Sequence, residues 1–262
     1  MKKLLSFLLV VAIFFGFFTS CKKGDLDPFF SIYSRKHRVV GEWVINSWAD
    51  TRTYIDNNGT NTIVKINISG TSITIDTTYL YTTNNHDTTK TWTGVINESK
   101  YEFKKTGQMN YVLDFTLTHR WKNTDDNTGY TYDSTYTWNY RFINTGTWNF
   151  LGKIDDYKNK ERITMVWENT KKVVNFSSHL EVDDGNGNIT ITNGQTLEST
   201  EDNYANGEFN EVWALKGLKE KEIIMNKTYE QIHTHAFTGI QGEKETISGT
   251  SEMTLQPKAN EE

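Results

Sequence analysis

The chain is nearly free of cysteine, and this absence limits how the protein can be stabilised. Cys21 is its single cysteine, so no disulfide can form within the chain. Small domains with weak apolar cores commonly depend on disulfides. The folded part of this protein must therefore be stabilised by core packing, and the one cysteine is left for a different chemistry.

Proline and positive charge are also scarce. After Gly41 the only proline is Pro257, so little in the sequence interrupts long β-strands. The formal net charge of the chain is −5. Proteins that bind nucleic acids usually present a basic surface to the phosphates, so we expect no nucleic-acid partner.

Recognisable catalytic motifs are missing as well. The sequence contains no Gly-x-Ser-x-Gly elbow and no glycine-rich phosphate-binding loop. Acidic pairs such as Asp155–Asp156 and Glu201–Asp202 fall in polar, turn-like stretches, where solvated loop charges are the usual explanation. We therefore expect a protein that is not an enzyme and that uses no cofactor.

The N-terminus has the pattern of an export signal. Lys2 and Lys3 precede an apolar run from Leu4 to Phe18, which has the length of a signal-peptide h-region. A membrane-spanning helix needs roughly 20 apolar residues, and this run is shorter. An uncleaved anchor helix remains the alternative interpretation.

The apolar run ends in Phe18-Thr19-Ser20-Cys21, which resembles the lipobox of bacterial lipoproteins, with Phe18 where most lipoboxes carry leucine. The resemblance implies a signal peptide at residues 1–20 and a lipid anchor on Cys21, which would hold the protein to a membrane. We expect the outer membrane of a bacterial cell envelope, on either its periplasmic or its surface face.

Residues 21–40 are predicted to be a lipidated polar tether between the membrane and the folded domain. Their basic end, Arg35-Lys36-His37-Arg38, has two interpretations. It either contacts anionic lipid headgroups or is the solvated entry to the first strand.

Two long segments show the two-residue period of β-strands. Apolar and polar side chains alternate through residues 109–121, and residues 130–142 place aromatic rings on one face and polar groups on the other. The polar stretch from Asn123 to Gly129 joins the two segments, so we predict a long β-hairpin. The aromatic face consists of Tyr130, Tyr132, Tyr136, Trp138, Tyr140 and Phe142.

Shorter segments continue the same pattern, with turn signals such as Asp184-Gly185-Asn186-Gly187 between them. No sustained helical period appears in the sequence that follows the predicted signal peptide. The further predicted strands are Val173–Val182, Asn188–Thr192, Val212–Met225 and Ile247–Leu255.

Many sequential strands, each polar on one face, predict an all-β fold. We expect a single antiparallel up-and-down β-barrel over residues 41–256, because closure removes the unpaired edges of a sheet. Residues 257–262 are predicted to be a polar tail. A β-sandwich is the alternative architecture, and a split near Gly146 into two smaller β domains is the alternative organisation.

Three tryptophan motifs point to a family. Gly41-Glu42-Trp43 opens the first strand, Gly146-Thr147-Trp148 lies midway, and a Trp-x-Leu-x-x-Leu segment runs from Trp213 to Leu218. Together they resemble the lipocalin-like lipoproteins of Bacteroidota. The resemblance implies a lipocalin-like barrel whose closed end is plugged by Trp43.

Lipocalins cover the plugging tryptophan with a late arginine, and this sequence departs from that pattern. No arginine follows Arg162, so Lys227 or Lys244 is the candidate substitute. The departure favours a lipocalin-like relative of unknown ligand over a lipocalin with its characteristic ligand cup.

The aromatic face of residues 130–142 is the candidate ligand site. If it points inward, Tyr132, Tyr136, Trp138 and Tyr140 line a cavity with apolar rings and polar tips, which suits a small amphipathic or apolar ligand. The alternative is that the rings fill the barrel completely. A filled barrel would favour a non-catalytic interaction lipoprotein that docks on an outer-membrane assembly.

Two groups of residues resemble the beginnings of metal sites. His233 and His235 project from one face of a predicted strand, as in some zinc sites, but no third ligand can be identified. The oxygens of Asp183, Asp184, Asn186 and Asn188 alternate as at the start of a calcium loop, but the EF-hand spacing is absent and a hairpin turn explains them without an ion. We therefore predict no metal ion.

Overall fold

The structure is a computed structural model that describes residues 26–27, 34–55, 61–80, 87–235 and 243–259, with side chains described outside 229–245. The predicted signal peptide at residues 1–20 and the predicted lipid attachment at Cys21 lie outside the described residues. Within the described ranges, no helix is both long enough and apolar enough to cross a bilayer.

The described residues form one short helix, α1, followed by eleven strands of a single sheet. Side chains alternate between the two faces of each strand, as the two-residue period predicts. The bounds are α1 (Arg35–Val39), β1 (Gly41–Ile55), β2 (Asn61–Ser69), β3 (Ser72–Leu80), β4 (Thr88–Phe103), β5 (Gln108–Thr124), β6 (Thr131–Phe150), β7 (Arg162–Asp183), β8 (Ile189–Asn203), β9 (Asn210–Lys219), β10 (Glu222–His235) and β11 (Glu243–Pro257).

The sheet closes into a ring of antiparallel strands. Strands adjacent in the sequence pair from β1 through β7 and from β9 through β11. The ring is completed by β11 pairing with β1 and by β7 pairing with β9. The prediction of an all-β, single antiparallel up-and-down β-barrel is therefore confirmed, whereas a β-sandwich would leave two separate sheets.

The two ends of the barrel differ. At one end, here called the base, β1 begins and pairs directly with β4 through Gly41–Trp43, so the β2–β3 hairpin contributes only above this level. At the opposite end, here called the mouth, lie the turns at 125–130 and 184–188. Among the described pairings, β8 pairs only with β7 and β10 beyond Asn226 only with β11, so the wall is closed at the base and open near the mouth.

The predicted long hairpin is present as β5 and β6, which pair from Thr124 opposite Thr131 down to Gln108 opposite Thr147. Strand β6 runs through Gly146 without a break, so no domain boundary falls there.

The single strand predicted for Val212–Met225 is wrong, because β9 ends at Lys219 and β10 begins at Glu222. The reversal uses Glu220 and Lys221, which carry none of the Gly, Asn or Asp signals that mark most hairpin turns.

Bulges in the described ladders change which side chains face inward. An extra residue interrupts the register of a strand and shifts the later residues to the opposite face. In β1 the extra residue is Asn46, so Trp43 and Ile45 are buried before it and Asp50 after it. Equivalent extra residues are Asn97 in β4, Glu168 in β7 and Lys216 in β9.

The base is filled by large buried side chains. Trp43 is 3% exposed, and its Nε1–H donates a hydrogen bond of 2.8 Å to the carbonyl oxygen of Val39 at the end of α1. Trp148 packs edge-on against Phe103, with ring centroids 5.6 Å apart. Other buried members of this core include Met165, Trp213, Leu218, Met225 and Leu255.

Part of the predicted tether lies against the barrel instead of extending freely. The backbone N–H of Leu26 donates to the carbonyl of Lys216 at 2.8 Å. The Asp27 carboxylate accepts the N–H of Leu218 at 2.8 Å and forms an ion pair with Arg35. The described residues of the 21–40 segment are therefore held on β9 by hydrogen bonds and charge.

The basic stretch before β1 divides into buried and exposed residues. Arg35 and Arg38 are each 7% exposed, and Arg38 donates to the carbonyl of Leu218. Burial lowers the pKa of Arg35, and the charge of Asp27 partly offsets that effect. Lys36 and His37 are exposed. The stretch is thus neither wholly solvated nor wholly available to lipid.

Candidate functional site

Above the packed base, the barrel contains a partly open cavity of about 630 Å³. This volume falls within the roughly 300–1,000 Å³ of typical small-molecule sites. Its lining comes from the inward faces of β1 to β6 and is mostly aromatic or aliphatic. Representative lining residues are Trp48, Ile66, Ile75, Trp92, Phe115 and Trp138.

The barrel is filled at one level and hollow at another, and the number of strands explains the difference. At the base the ring contains eight strands, β1, β4 to β7 and β9 to β11. An eight-stranded ring leaves an interior that side chains can just fill. Above this level the β2–β3 hairpin enters between β1 and β4, which widens the ring and leaves space for the cavity.

Two of the four predicted ligand residues line this cavity. Trp138 and Tyr140 contribute to its wall, whereas Tyr132 and Tyr136 lie on the same strand nearer the mouth and are not part of the lining. Tyr136 instead stacks on Phe176 with ring centroids 6.3 Å apart. The predicted aromatic face therefore extends beyond the cavity.

Trp138 is the centre of an aromatic cluster near the mouth. Its ring lies 5.1 Å from that of Trp92 in an edge-to-face arrangement and 5.1 Å from that of Phe176. Trp92 also meets His119 edge-on at 5.4 Å. Such edge-to-face and tilted contacts hold the rings in defined orientations, so this part of the cavity wall is rigid and apolar.

A second group of rings forms a flatter part of the wall. Phe115 stacks on Tyr140 with centroids 5.2 Å apart and on Phe142 with centroids 6.2 Å apart. Burial raises the pKa of the Tyr140 hydroxyl, with a smaller contribution from the negative charge of Glu198. Tyr140 is thus a neutral hydroxyl in an apolar setting, able to donate or accept one hydrogen bond.

Charged side chains are scarce in the cavity wall. Among the described residues of the lining, Arg52 is the one charged side chain, and its Nε–H donates to the Asp50 carboxylate at 2.6 Å. Asp50 is 1% exposed. Nearby, Trp48 donates to the hydroxyl of Ser251 at 2.8 Å. Polar groups gathered on one side of an apolar wall can fix the orientation of an amphipathic molecule.

A buried tyrosine extends this polar side. Tyr111 lines the cavity and is 8% exposed. Burial raises the pKa of its hydroxyl, and the negative charge of Glu211 adds to the rise while Arg52 opposes it. The Tyr111 hydroxyl therefore stays neutral at physiological pH.

The lysine proposed to cover Trp43 lies elsewhere. Lys227 Nζ is 4.6 Å from the ring centroid of Trp213 and forms an ion pair with Glu211. Glu211 also accepts the Nε1–H of Trp167 at 3.2 Å. Lys227 thus covers a different tryptophan, and the side chain of Lys244 lies outside the described residues.

The structure adds little to the metal hypotheses. His233 and His235 lie in β10, but their side chains are outside the described residues. In the part of the chain that the structure describes, no group of three or more His, Cys, Asp or Glu side chains is placed to hold a metal ion.

The calcium-like stretch forms a hairpin turn. The Asp184 carboxylate accepts the side-chain amide of Asn188 at 2.7 Å and the backbone N–H of Asn186 at 2.8 Å. These hydrogen bonds, first that from the Asn188 side chain, lower the pKa of Asp184. Turn geometry accounts for the pattern of oxygens.

Several cavity residues escaped prediction. Ile66 and Ile75 belong to the β2–β3 hairpin, and the period of two at Ile66–Ile68 and Ile73–Ile75 is the signal that could have identified them. Trp48 follows the bulge at Asn46. Strict alternation from Trp43 would place Trp48 on the outer face, whereas the bulge turns it inward.

No protein-family model matches this chain, and no curated protein matches it. The lipocalin-like resemblance therefore stays a prediction from its motifs.

Proposed function

We propose that this protein is a membrane-anchored lipoprotein of the bacterial cell envelope whose barrel binds a small amphipathic or apolar ligand. The observation that carries the proposal is the cavity of about 630 Å³ above a packed base. The lipobox-like residues ending at Cys21 supply the anchor, with the outer membrane as the expected location. No catalytic group is assigned.

The lining defines the chemistry of the proposed ligand. Rings at Trp92, Trp138 and Tyr140 provide flat apolar surfaces, which favour fused-ring or acyl groups through burial and dispersion. Arg52 and Tyr111 place hydrogen-bond donors on one side. A ligand with an apolar body and one polar end satisfies both parts of the wall.

Replacing Trp138 with alanine should weaken ligand capture while leaving the fold intact. Loss of its contacts to a bound molecule should raise the dissociation constant about tenfold, which corresponds to roughly 1.4 kcal/mol. Fluorescence titration with N-phenyl-1-naphthylamine measures the constant, and circular dichroism checks the fold.

The matched control for Trp138→Ala is Trp121→Ala. Trp121 is 46% exposed on β5 and does not line the cavity, so its loss should leave probe affinity unchanged. Equal affinities for wild type and Trp138→Ala would contradict the cavity as the binding site, as would a wild type that binds no member of a panel of lipids, pigments and glycans.

Replacing Cys21 with serine should remove the anchor. A serine hydroxyl cannot form the thioether to diacylglycerol, so the protein should lose its lipid mass and leave the membrane fraction. Intact mass spectrometry and membrane fractionation measure both effects. Phe18→Leu, which introduces the residue most lipoboxes carry, is the control and should stay lipidated. Unchanged fractionation of Cys21→Ser would indicate an uncleaved anchor helix.

A second candidate function is docking on an envelope assembly, and strand β8 favours it. Ile189, Ile191 and Leu197 are 57%, 55% and 69% exposed, and they share one face of a strand that pairs only with β7 among the described residues. Exposed apolar side chains on an edge strand are typical of protein contact sites. Failure of the wild type to bind any probe would favour this alternative.

A further inference from the structure

We propose that the base of the barrel lies against the anionic phospholipid surface of the anchoring membrane, with the exposed lysines of the base in contact with headgroups and the cavity opening away from the bilayer. The proposal rests on the Cys21 anchor of the proposed function and adds the orientation of the domain and the chemistry of the surface it meets.

The first support is the short distance between the proposed anchor and the barrel. The chain is fixed to β9 at Leu26 and Asp27 by the hydrogen bonds to Lys216 and Leu218. A fully extended chain from Cys21 to Leu26 spans at most roughly 18 Å. The part of β9 that holds Leu26 must therefore remain close to the lipid surface.

The contacts that fix this point are buried within the protein. Asp27 is 5% exposed and Arg35 is 7% exposed, and Asp27 binds both Arg35 and the backbone of Leu218. Separation of this ion pair would leave both charges in a poorly solvated site. We therefore expect the attachment point to stay on the base as long as the protein is folded.

Barrel length separates the two ends clearly. Strand β6 runs from the mouth to the base over 20 residues, which corresponds to roughly 50 Å along the barrel axis once strand rise and tilt are included. A short tether at the base thus brings the mouth to the bilayer only if the barrel lies on its side.

The charge distribution favours an orientation in which the barrel stands on its base, because the base is rich in exposed lysines. They lie in α1, in the β4–β5 turn, in the β6–β7 connection and in the β9–β10 turn. They outnumber the exposed acids of the same segments, Asp155, Asp156 and Glu220. None of these exposed lysines forms an ion pair with a described residue. The lysines are Lys36, Lys105, Lys153, Lys158, Lys160 and Lys221.

The described turns of the mouth carry the opposite charge. The turns at 125–130 and 184–188 contain Asp125, Asp126 and Asp184 and no lysine or arginine. The nearest basic side chains are Lys122 and Arg120 on β5, and both form ion pairs with Asp133, at 4.0 Å and 2.6 Å. At distances up to about a Debye length, an anionic surface therefore attracts the base and repels the described turns of the mouth, and both effects favour the upright orientation.

This orientation has a consequence for ligand entry. The cavity lies above the packed base, on the side of the mouth. A molecule in the bilayer would meet the filled end of the barrel, so the ligand has to arrive from the aqueous side, either free or from another carrier.

The test uses the mature lipidated protein in vesicles. Because lipidation consumes the only native cysteine, one introduced cysteine can be labelled alone. A donor dye is placed at the base with Thr106→Cys or at the mouth with Asn127→Cys, both exposed positions. Energy transfer to a rhodamine headgroup lipid is then measured in phosphatidylcholine vesicles with and without phosphatidylglycerol.

The expected result is transfer several-fold higher from the base than from the mouth with phosphatidylglycerol present, and a smaller difference without it. Equal transfer from both positions, or higher transfer from the mouth, would overturn the orientation. A difference that is the same in both vesicles would overturn the role of the lysines. Intact mass at Cys21 separates these results from failure of the anchor itself, since protein without lipid never enters the comparison.

Discussion

Replacing Trp43 with alanine is expected to lower the free energy of unfolding by about 3–5 kcal/mol, the usual cost of deleting a buried tryptophan side chain. Trp43 is 3% exposed in the core of the base and donates a hydrogen bond to Val39. The substitution would open a cavity in the narrow ring and leave the last carbonyl of α1 without its donor. Urea denaturation followed by far-ultraviolet circular dichroism measures the loss.

Trp121 offers a matched comparison for Trp43. It is 46% exposed near the mouth, so Trp121→Ala should change the free energy of unfolding by no more than about 0.5 kcal/mol. A similar loss for the two variants would mean that Trp43 does not fill the base in the way its burial indicates.

Replacing Gly146 with alanine is expected to destabilise the protein by about 3 kcal/mol or more, at the upper end of the cost of overpacking. A Cβ at this position would lie 2.0 Å from the carbonyl oxygen of Val166 and 2.9 Å from the Cα of Trp167. Both are backbone atoms of β7 beside the bulge at Glu168. The clash therefore cannot be relieved by rotation of a side chain. Strands β6 and β7 would have to separate.

Gly152 is the control for Gly146. A Cβ built there meets no atom within 4 Å, so Gly152→Ala should leave the free energy of unfolding nearly unchanged. Thermal melts of both variants make the comparison, and expression level reports a Gly146 variant that fails to fold. Equal melting temperatures would show that β6 and β7 can separate at this point without cost.

These two substitutions probe the base, on which the rest of the molecule depends. The base holds the docked segment at Leu26 and Asp27 and closes the lower end of the cavity. A loosened base would disturb both the proposed attachment point and the cavity floor. Probe binding should therefore be measured only on variants that keep the native fold.

Local pattern was sufficient to predict the long hairpin. The alternation in residues 109–121 and 130–142 arises because each strand has one buried face. A short stretch of sequence is enough to recognise such an alternating pattern. The turn between β9 and β10 was missed for the complementary reason. Glu220 and Lys221 carry no turn signal, so the reversal is imposed by pairing of β9 with β10.

The candidate site was predicted in part. Trp138 and Tyr140 line the cavity, whereas Tyr132 and Tyr136 lie on the same face nearer the mouth. Alternation identifies the inward face of a strand, but it does not locate the cavity along the barrel axis. Trp48 and Arg52 escaped prediction because the bulge at Asn46 reverses the faces of β1.

The sequence by itself determined that the chain forms many two-sided antiparallel strands, that no disulfide can support them, and that one cysteine stands where a lipid anchor is expected. Only the tertiary structure decided where the barrel is filled and where it is hollow. That difference depends on how many strands complete the ring at each level. The number of strands at each level is set by pairings between distant segments, such as Gly41–Trp43 with Tyr101–Phe103. A periodic pattern within one strand carries no information about such pairings.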